Sequence, residues 1–459
     1  MKPFNKVNRP RLFRGLLAPA LLLAGLSLLF ITGCEKDPAG PSNADIEAAK
    51  TLIDEGFVLL ATAFENVDPS SQTPADFLTP KGKFEDALEF DSDNQDARVG
   101  LALCEIGLLT QDATLLAAIG GIIPLAPFGK AVSGDSPPGF RRALGDITGP
   151  GEDILSPGGW LTWMQDRMTK VVQEGPAPDL EPLQTAVETV IIPVVDAVIA
   201  LLAVVETDVT WTKVLTPQMQ GFEDLEGQLE IDVTDILMVD AFMQVLKSQL
   251  HFFVSYNLNF PDFQSETSVV AALNQTDGTF LALRTNGTTN MGSVRTSLLA
   301  AITKMRLFGL NLSAESDDQT DDLIKIDPTG GDGPNAEDLI EIATRLTELE
   351  SILNGPSDVD DVDFDGDGSP DVLSVDLSSI FTTPIQDLKQ LLPPYSWNAQ
   401  YTTFLWNGWP EDISQFVFPD PTMGGILPGL TTDAGLKAFF GIPTDYWITP
   451  GPFFFGAGG

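Results

Sequence analysis

Residue types that carry much of enzyme catalysis and covalent cross-linking are nearly absent from this chain. It has 2 cysteines, Cys34 and Cys104, and 1 histidine, His251, among 459 residues. The common zinc sites need several Cys and His ligands and are excluded, and His251 is the one imidazole available as a base for a Ser or Cys nucleophile. Both Cys104 and His251 lie in apolar stretches. We therefore expect a buried, inert thiol and a partly buried imidazole with a hydrogen-bond partner.

Motifs of the common enzyme classes are also missing. The sequence contains no Walker A motif, no GxSxG, no HExxH and no GxGxxG that follows a strand. The stretch Gly330–Gly333 lacks the lysine of a phosphate-binding loop. We predict that the protein is not an enzyme. Carboxylate pairs are too frequent in this chain to be informative, so a carboxylate-pair hydrolase stays open as an alternative.

Positive charge is scarce. The chain has 25 Lys and Arg against 65 Asp and Glu, which gives a net charge of −40. Such a surface repels nucleic acid, so we predict no nucleic-acid partner. Solubility or a salty habitat explains the charge more simply than an acidic site does. The hydrophobic fraction of 43% is enough for a substantial core.

The N-terminus has the three parts of a secretory signal. Basic residues come first, an apolar run follows from Leu16 to Ile31, and a small residue precedes Cys34. The tetrapeptide Ile31-Thr32-Gly33-Cys34 resembles the bacterial lipobox. That resemblance implies that 1–33 is a signal peptide and that Cys34 becomes lipidated and anchors the protein to a membrane. The alternative is an uncleaved transmembrane helix, but the run is short for a span and Pro19 interrupts it.

Helical spacing of apolar residues dominates the rest of the chain. Residues 34–43 are predicted to be a tether and 44–355 a helical domain; the helices expected there cover 44–67, 96–109, 160–172, 183–205, 229–258, 267–283, 292–312 and 335–353. Leu183–Val205 is the most apolar, but it contains Glu188, Pro193 and Asp196, which favours a buried core helix over a membrane span. Strand alternation is scarce, so we predict a mainly α fold, a helical bundle.

Residues 44–110 resemble a tetratricopeptide repeat. The family places a large aromatic residue and an alanine at the end of its second helix, and small and aliphatic residues at the start of the next helix; the matching residues are Phe84, Ala87, Leu88, Ala97, Leu101 and Ala102. Two departures are Pro80, which shortens the second helix, and Ser92 in place of the usual proline at the turn. The resemblance implies helix–turn–helix units and protein–protein contact. An ordinary packed helix pair is an equally good interpretation.

One motif predicts a metal site, in a segment assigned to 356–376. The sequence from Asp363 to Asp371 matches the calcium-loop pattern DxDxDGxxD. Calcium takes six to eight oxygen ligands, which alternating carboxylates in a tight loop provide; the predicted ligands are Asp363, Asp365, Asp367, Ser369 and Asp371. Position twelve, Ser374, is not the glutamate of an EF-hand, so we predict a single structural calcium loop. An acidic, solvated linker is the alternative.

The C-terminal segment, 377–459, is rich in proline, glycine and aromatic residues, and we expect irregular structure there. Trp397, Trp406 and Trp409 lie beside Asn and Gln side chains. Flat rings next to amides suit carbohydrate binding, although packing of the rings on the helical core is the simpler interpretation.

The combined prediction is a lipid-anchored cell-envelope protein that binds or scaffolds a protein partner. The lipobox resemblance favours the outer membrane over the inner, because Glu35 stands where inner-membrane retention usually uses Asp. The first alternative is a glycan-capturing outer-membrane lipoprotein, similar in design to the helical SusD-like starch-binding lipoproteins.

Overall fold

A computed structural model describes thirteen separate stretches of the chain. They are 41–65, 75–109, 111–114, 179–220, 228–259, 271–272, 274, 278–315, 336–362, 371–391, 395–398, 403–406 and 417–439. The predicted signal peptide, most of the tether and the helix expected at 160–172 lie outside these residues. Within the interpretable part 69% of residues are helical. The prediction of a mainly α fold is confirmed.

The helices and strands follow one another in a simple order. The helices are α1 (Asn43–Glu65), α2 (Leu78–Phe90), α3 (Gln95–Leu109), α4 (Glu181–Ala186), α5 (Ile192–Val205), α6 (Pro217–Gln220), α7 (Val233–Ser255), α8 (Gly287–Ala314), α9 (Ala336–Asn354), α10 (Ser378–Thr382) and α11 (Asp433–Phe439). The strands form three antiparallel hairpins, which are β1 (Thr212–Leu215) with β2 (Leu229–Asp232), β3 (Ser357–Val362) with β4 (Asp371–Val375), and β5 (Tyr395–Asn398) with β6 (Thr403–Trp406).

The N-terminal helices pack around one phenylalanine. Phe84 of α2 is fully buried, and its ring meets Phe57 of α1 edge-on, with 5.1 Å between ring centroids. A Cβ added at Gly56 of α1 would lie 2.8 Å from the Phe84 ring, and one added at Gly100 of α3 would lie 2.2 Å from it. Both glycines are therefore needed for the close approach of the three helices.

The first turn of α2 is capped by a residue that precedes the helix. Thr79 and Pro80 resemble an N-cap followed by a first-turn proline, but α2 already begins at Leu78. The Asp76 carboxylate accepts hydrogen bonds from the Leu78 and Thr79 backbone N–H groups at 3.1 and 3.0 Å. Asp76 thus satisfies two of the free amides that every helix start exposes.

The most apolar helix is continuous from Glu181 to Val205. Its length of 25 residues and mean hydropathy of 2.4 would permit a membrane span, and 33% of its most apolar window is buried. In the fold α5 packs against α3 and α7 through a cluster that includes Val195, Val198 and Leu202. Ile199, half-buried, lies at the edge of this cluster, and the fully buried position beside it is Val198.

Three predicted helices have wrong boundaries. Leu229–Leu258 was expected to be one helix, but Leu229–Asp232 is strand β2 and Ser255 ends α7. Asp232 is the cap: its carboxylate accepts from the Thr234 and Asp235 amides, and the Asp235 carboxylate accepts from the Asp232 amide. This reciprocal capping box is the sequence signal that fixes the start of α7.

The helix expected over 267–283 does not reach its predicted end. Residues 278–283 form turns and isolated bridges, with Leu283 bridged to Tyr256 and Ala282 to Asp387. Helix α8 in turn begins five residues before the expected Gly292. A Cβ at Gly287, its first residue, would lie 2.5 Å from the Ser255 carbonyl oxygen, so this position accepts only glycine where α8 crosses the end of α7.

The C-terminal segment is more regular than expected. Within 377–459 the structure describes two short helices, a 3-10 turn at Leu388–Leu391 and the β5–β6 hairpin. Leu373 of β4 packs with Leu427 and Leu436 in a small separate core. This core ties residues 417–439 to the β3–β4 hairpin.

Candidate functional site

Most of the residues predicted to form sites lie outside the described part of the chain. Cys34, Trp409 and the ligands predicted at Asp363, Asp365, Asp367 and Ser369 all fall there. Asp371 is described as the first residue of β4. Trp397 and Trp406 are described as strand residues of β5 and β6.

The calcium-type motif joins two paired strands. Val362, the residue before Asp363, is the ladder partner of Asp371. Residues facing each other in an antiparallel ladder have Cα atoms about 5 Å apart. The register thus places the chain entering the motif beside Asp371 at its other end, which fits a closed cation loop. No group of three or more His, Cys, Asp or Glu residues able to hold a metal occurs among the described residues, and 363–370 are not among them.

The aromatic cluster falls on a hairpin with a defined register. Tyr395 pairs with Trp406, and Trp397 pairs with Phe404. Positions that face each other, or that lie two apart on one strand, share a face of an antiparallel ladder. The register therefore assigns four aromatic positions to one face of the β5–β6 hairpin. Sequence reasoning identified the cluster but not the hairpin that arranges it.

A polar pocket of about 350 Å³ lies where α4, the end of α7 and the start of α8 meet. It is lined by side chains that carry charge, amide or hydroxyl groups and by a few apolar ones, namely Glu181, Glu188, Asn257, Thr279, Ala282, Leu283, Arg284, Thr285 and Asn286. Its volume is within the range of small-molecule sites. None of these residues except Glu188 drew attention in the sequence.

A π-helical turn positions Glu188 in this pocket. The turn covers Val187–Ile191, and the Ile192 N–H donates to the Val187 carbonyl, five residues back. Pro193 follows at once and has no N–H to donate to residue 189, so the usual i→i−4 ladder is broken here. Single π turns of this kind are frequent at functional sites. The proline thus accounts locally for the position of Glu188.

Arg284 holds the pocket together. Its Nη1 donates to Glu188 Oε2 at 3.3 Å and to the Val254 carbonyl at 3.0 Å, and its Nη2 donates to Glu181 Oε1 at 3.2 Å. Asn286 Nδ2 donates to the other Glu188 oxygen at 3.2 Å. One guanidinium and one amide therefore orient two carboxylates at the pocket wall, and the site carries a formal charge of −1.

Buried polar groups beneath the pocket fix its backbone. Gln184 is completely buried. Its Nε2 donates to the Phe253 and Tyr256 carbonyls at 2.7 Å each, and its Oε1 accepts from the Leu258 amide at 3.3 Å. Leu281, next to Ala282 at the wall, has a φ of 59°. A non-glycine residue in this left-handed region is strained, and such strain occurs preferentially at functional sites.

Cys104 is buried and His251 has a hydrogen-bond partner, as predicted. Cys104 is buried in α3, and burial raises the pKa of its thiol well above the ordinary value. His251 Nδ1 donates to Asn290 Oδ1 at 3.1 Å. Burial lowers the pKa of His251, so the ring is neutral near pH 7 and acts as a packed core group.

Comparison of the chain with protein-family models, with curated proteins and with solved structures finds no match. The pocket was not found by sequence reasoning because its residues come from three separated segments. One signal was available. Arg284 is one of only 25 cationic residues, and a cation among so many acids is expected to be held by several of them.

Proposed function

We propose that the protein is a lipid-anchored binding protein of the bacterial cell envelope that meets a protein partner through its N-terminal helices. The lipobox resemblance at Cys34 supports the anchor. The packing of Phe84 supports the tetratricopeptide resemblance, and that resemblance implies contact with a protein partner. The aromatic and small residues on which the tetratricopeptide resemblance rests, Phe84, Ala87, Ala97 and Ala102, are all completely buried, as close packing of such units requires.

The outer surface of these helices supports contact with a basic protein. Ile46 and Val58 of α1 and Leu78 and Phe90 of α2 are each more than two-fifths exposed. Where exposed apolar side chains lie together in one patch, they favour association with another protein. The net charge of −40 favours a partner with a positive surface, because charge complementarity selects and steers partners.

Photo-crosslinking in intact cells tests the partner proposal. A photoreactive amino acid replaces Leu78 or Phe90 in separate variants, and Thr344, an exposed residue of α9, is the control position. We expect a discrete adduct from the two α2 positions and none from Thr344. Equal labelling from all three positions, or no adduct from any, would contradict the proposal.

The anchor is tested separately through Cys34→Ser. Bacterial lipidation supplies several acyl chains, and more than one chain is needed for stable anchoring. We expect the wild-type chain in the membrane fraction with an acylated residue 34 at its N-terminus, and the variant unprocessed or released. Mass spectrometry that finds an unmodified N-terminus at any other residue contradicts this.

Glycan capture is the second candidate function, and the pocket around Arg284 favours it. Its wall offers carboxylates, two amides and hydroxyl groups, which suit a ligand rich in hydroxyls. The register of the aromatic hairpin supports the same class of ligand. A glycan array followed by calorimetry provides the test: Asn286→Ala should weaken binding, whereas Asn354→Ala, on α9, should not. Retention of full affinity by the Asn286 variant would exclude the pocket.

A structural calcium ion is the proposed cofactor. The predicted ligands are Asp363, Asp365, Asp367, Ser369 and Asp371, and the pairing of Val362 with Asp371 supports a loop closed at its base. Calcium would neutralise carboxylates that otherwise repel one another.

A further inference from the structure

A buried ionic cluster joins three helices away from the pocket. Lys304 of α8 contacts the carboxylate of Glu206, the residue that follows α5, and its Nζ lies 2.7 Å from Asp240 Oδ2 of α7. The Asp240 side chain is completely buried and that of Glu206 is only 10% exposed. Gln244 Nε2 donates to the second Asp240 oxygen at 3.2 Å. We call these residues, Glu206, Asp240 and Lys304, the buried triad.

The charges of the triad do not balance. Two carboxylates share one ammonium, and Glu206 Oε1 is buried without a hydrogen-bond partner. A buried charge without full compensation is costly, and the usual outcome is that the group takes up a proton. A proton on Glu206 would remove the excess charge and let that carboxyl group donate a hydrogen bond.

The surroundings identify Glu206 as the group that takes the proton. Burial is the main cause that raises its pKa to about 7, and the Asp240 charge adds to this while Lys304 opposes it. Hydrogen bonds to both carboxylates raise the pKa of Lys304 despite its own burial, so the ammonium keeps its proton. Asp240 on α7 and Lys304 on α8 are the charged groups that act on Glu206.

Glu206 lies between the end of α5 and the turn that leads to β1. It leads from α5 through a short turn to Trp211 and strand β1. Trp211 Nε1 donates to Asp96 of α3 at 2.9 Å, and Lys213 of β1 lies 2.9 Å from Asp96 and 3.3 Å from Asp54 of α1. The turn after Glu206 therefore connects the α7–α8 pair with the N-terminal helices.

We propose that the buried triad is a pH-sensitive contact between α5 and the α7–α8 pair. The contact holds α5 in place when Glu206 is protonated and weakens when Glu206 is ionised. Loss of the proton puts two carboxylates side by side around one ammonium in a site that water hardly reaches. Their repulsion acts on the end of α5 and so on the turn to β1. The strength of the connection between the α7–α8 pair and the N-terminal helices therefore changes with pH near neutrality.

The sign of the effect on stability follows from the direction of the pKa shift. The folded-state pKa of Glu206 lies above its unfolded value, so the folded state holds the proton more tightly. The stabilisation is complete below the unfolded pKa and is lost as the pH rises through the folded pKa. One proton changes the unfolding equilibrium constant by up to about tenfold per pH unit in this window.

Urea denaturation of the full chain in detergent, between pH 5 and pH 9, tests the proposal. Wild type should lose stability with rising pH, whereas Glu206→Gln, which mimics the protonated group, should lack this component. Asp240→Asn should lack it too, because Glu206 is then matched by Lys304 alone. Asp196→Asn is the control: Asp196 pairs with Lys247 at 2.6 Å and is half-exposed, so its slope should equal that of wild type.

Two further measurements separate the switch from a purely structural role. Infrared spectroscopy at pH 6 should show a protonated carboxyl band in wild type that Glu206→Gln removes. Hydrogen exchange of residues 200–215, corrected for the intrinsic pH effect, should accelerate above neutral pH in wild type and not in Glu206→Gln. Parallel stability profiles for wild type and Glu206→Gln, or no protonated carboxyl at pH 6, would overturn the proposal.

Discussion

Replacing Gly100 by alanine is a direct test of how α2 and α3 pack. The new Cβ would lie 2.2 Å from the Phe84 ring atoms Cε1 and Cζ, whereas carbon atoms in contact prefer about 3.5–4.0 Å. Phe84 is completely buried, so its ring has no space in which to relax. The helices must separate, or the ring must adopt a strained rotamer.

The expected cost follows from two opposing effects. Overpacking a well-filled core costs about 1–3 kcal/mol, and an overlap this large belongs at the upper end. Removing a glycine from a helix interior recovers about 0.5–1 kcal/mol. The net loss should be about 2 kcal/mol. Because the unfolding entropy is about 2.1 cal/mol/K per residue, this loss should lower Tm by roughly 2 °C if the 459-residue chain unfolds as one unit.

Gly82 is the matched control, since it also lies inside a helix but has nothing within 4 Å of an added Cβ. Gly82→Ala should therefore raise stability by about 0.5–1 kcal/mol. Urea denaturation of both variants, and of Gly100→Ala combined with Phe84→Leu, decides the matter. The double variant should lose less than the sum of its single changes. A Gly100→Ala protein as stable as wild type, or strict additivity, would refute the packing argument.

Two further predictions concern the core helix and the calcium loop. Val198→Asp should abolish folding, because an unpaired buried carboxylate costs several kcal/mol. Ile199→Asp should leave a less stable but folded protein, since Ile199 is only half-buried. Circular dichroism distinguishes the two variants, and an equal loss of helix in both would contradict this prediction. Calcium should raise the Tm of wild type, and Asp365→Ala should remove most of that rise. Magnesium should substitute poorly because it demands a tighter octahedral site. If calorimetry finds no calcium binding at millimolar concentration, the predicted site is wrong.

Much of the helical framework was predictable because apolar spacing reports which face of a helix is buried. Helices α1, α3 and α9 lie within a few residues of their predicted bounds. The errors concentrate where local signals compete with tertiary contacts. Val233 begins α7 because the Asp232 capping box ends the strand before it, and Leu283 leaves the helical pattern because it bridges to Tyr256.

Sequence patterns predict some sites of this protein but not the pocket around Arg284. The calcium motif, the lipobox and the aromatic cluster are each local in sequence, so a pattern alone can predict them, and they stay predictions. The pocket around Arg284 combines residues more than ninety positions apart, with Glu188 and Arg284 joined by one ion pair. No periodicity or motif links such residues, because the pairing depends on how α4 crosses the ends of α7 and α8.

The helical class, the positions of the glycines and prolines that interrupt the helices, and the large excess of acidic over basic residues can all be read from the amino-acid sequence alone. These are properties of single residues and short windows, so local physics is enough to predict them. Which acidic side chains contact the few cationic ones depends on the tertiary structure. It placed Glu206 and Asp240 around Lys304 and left Glu206 Oε1 buried without a hydrogen-bond partner. Burial and charge balance arise when distant helices pack together, and for that reason no short stretch of the sequence contains them.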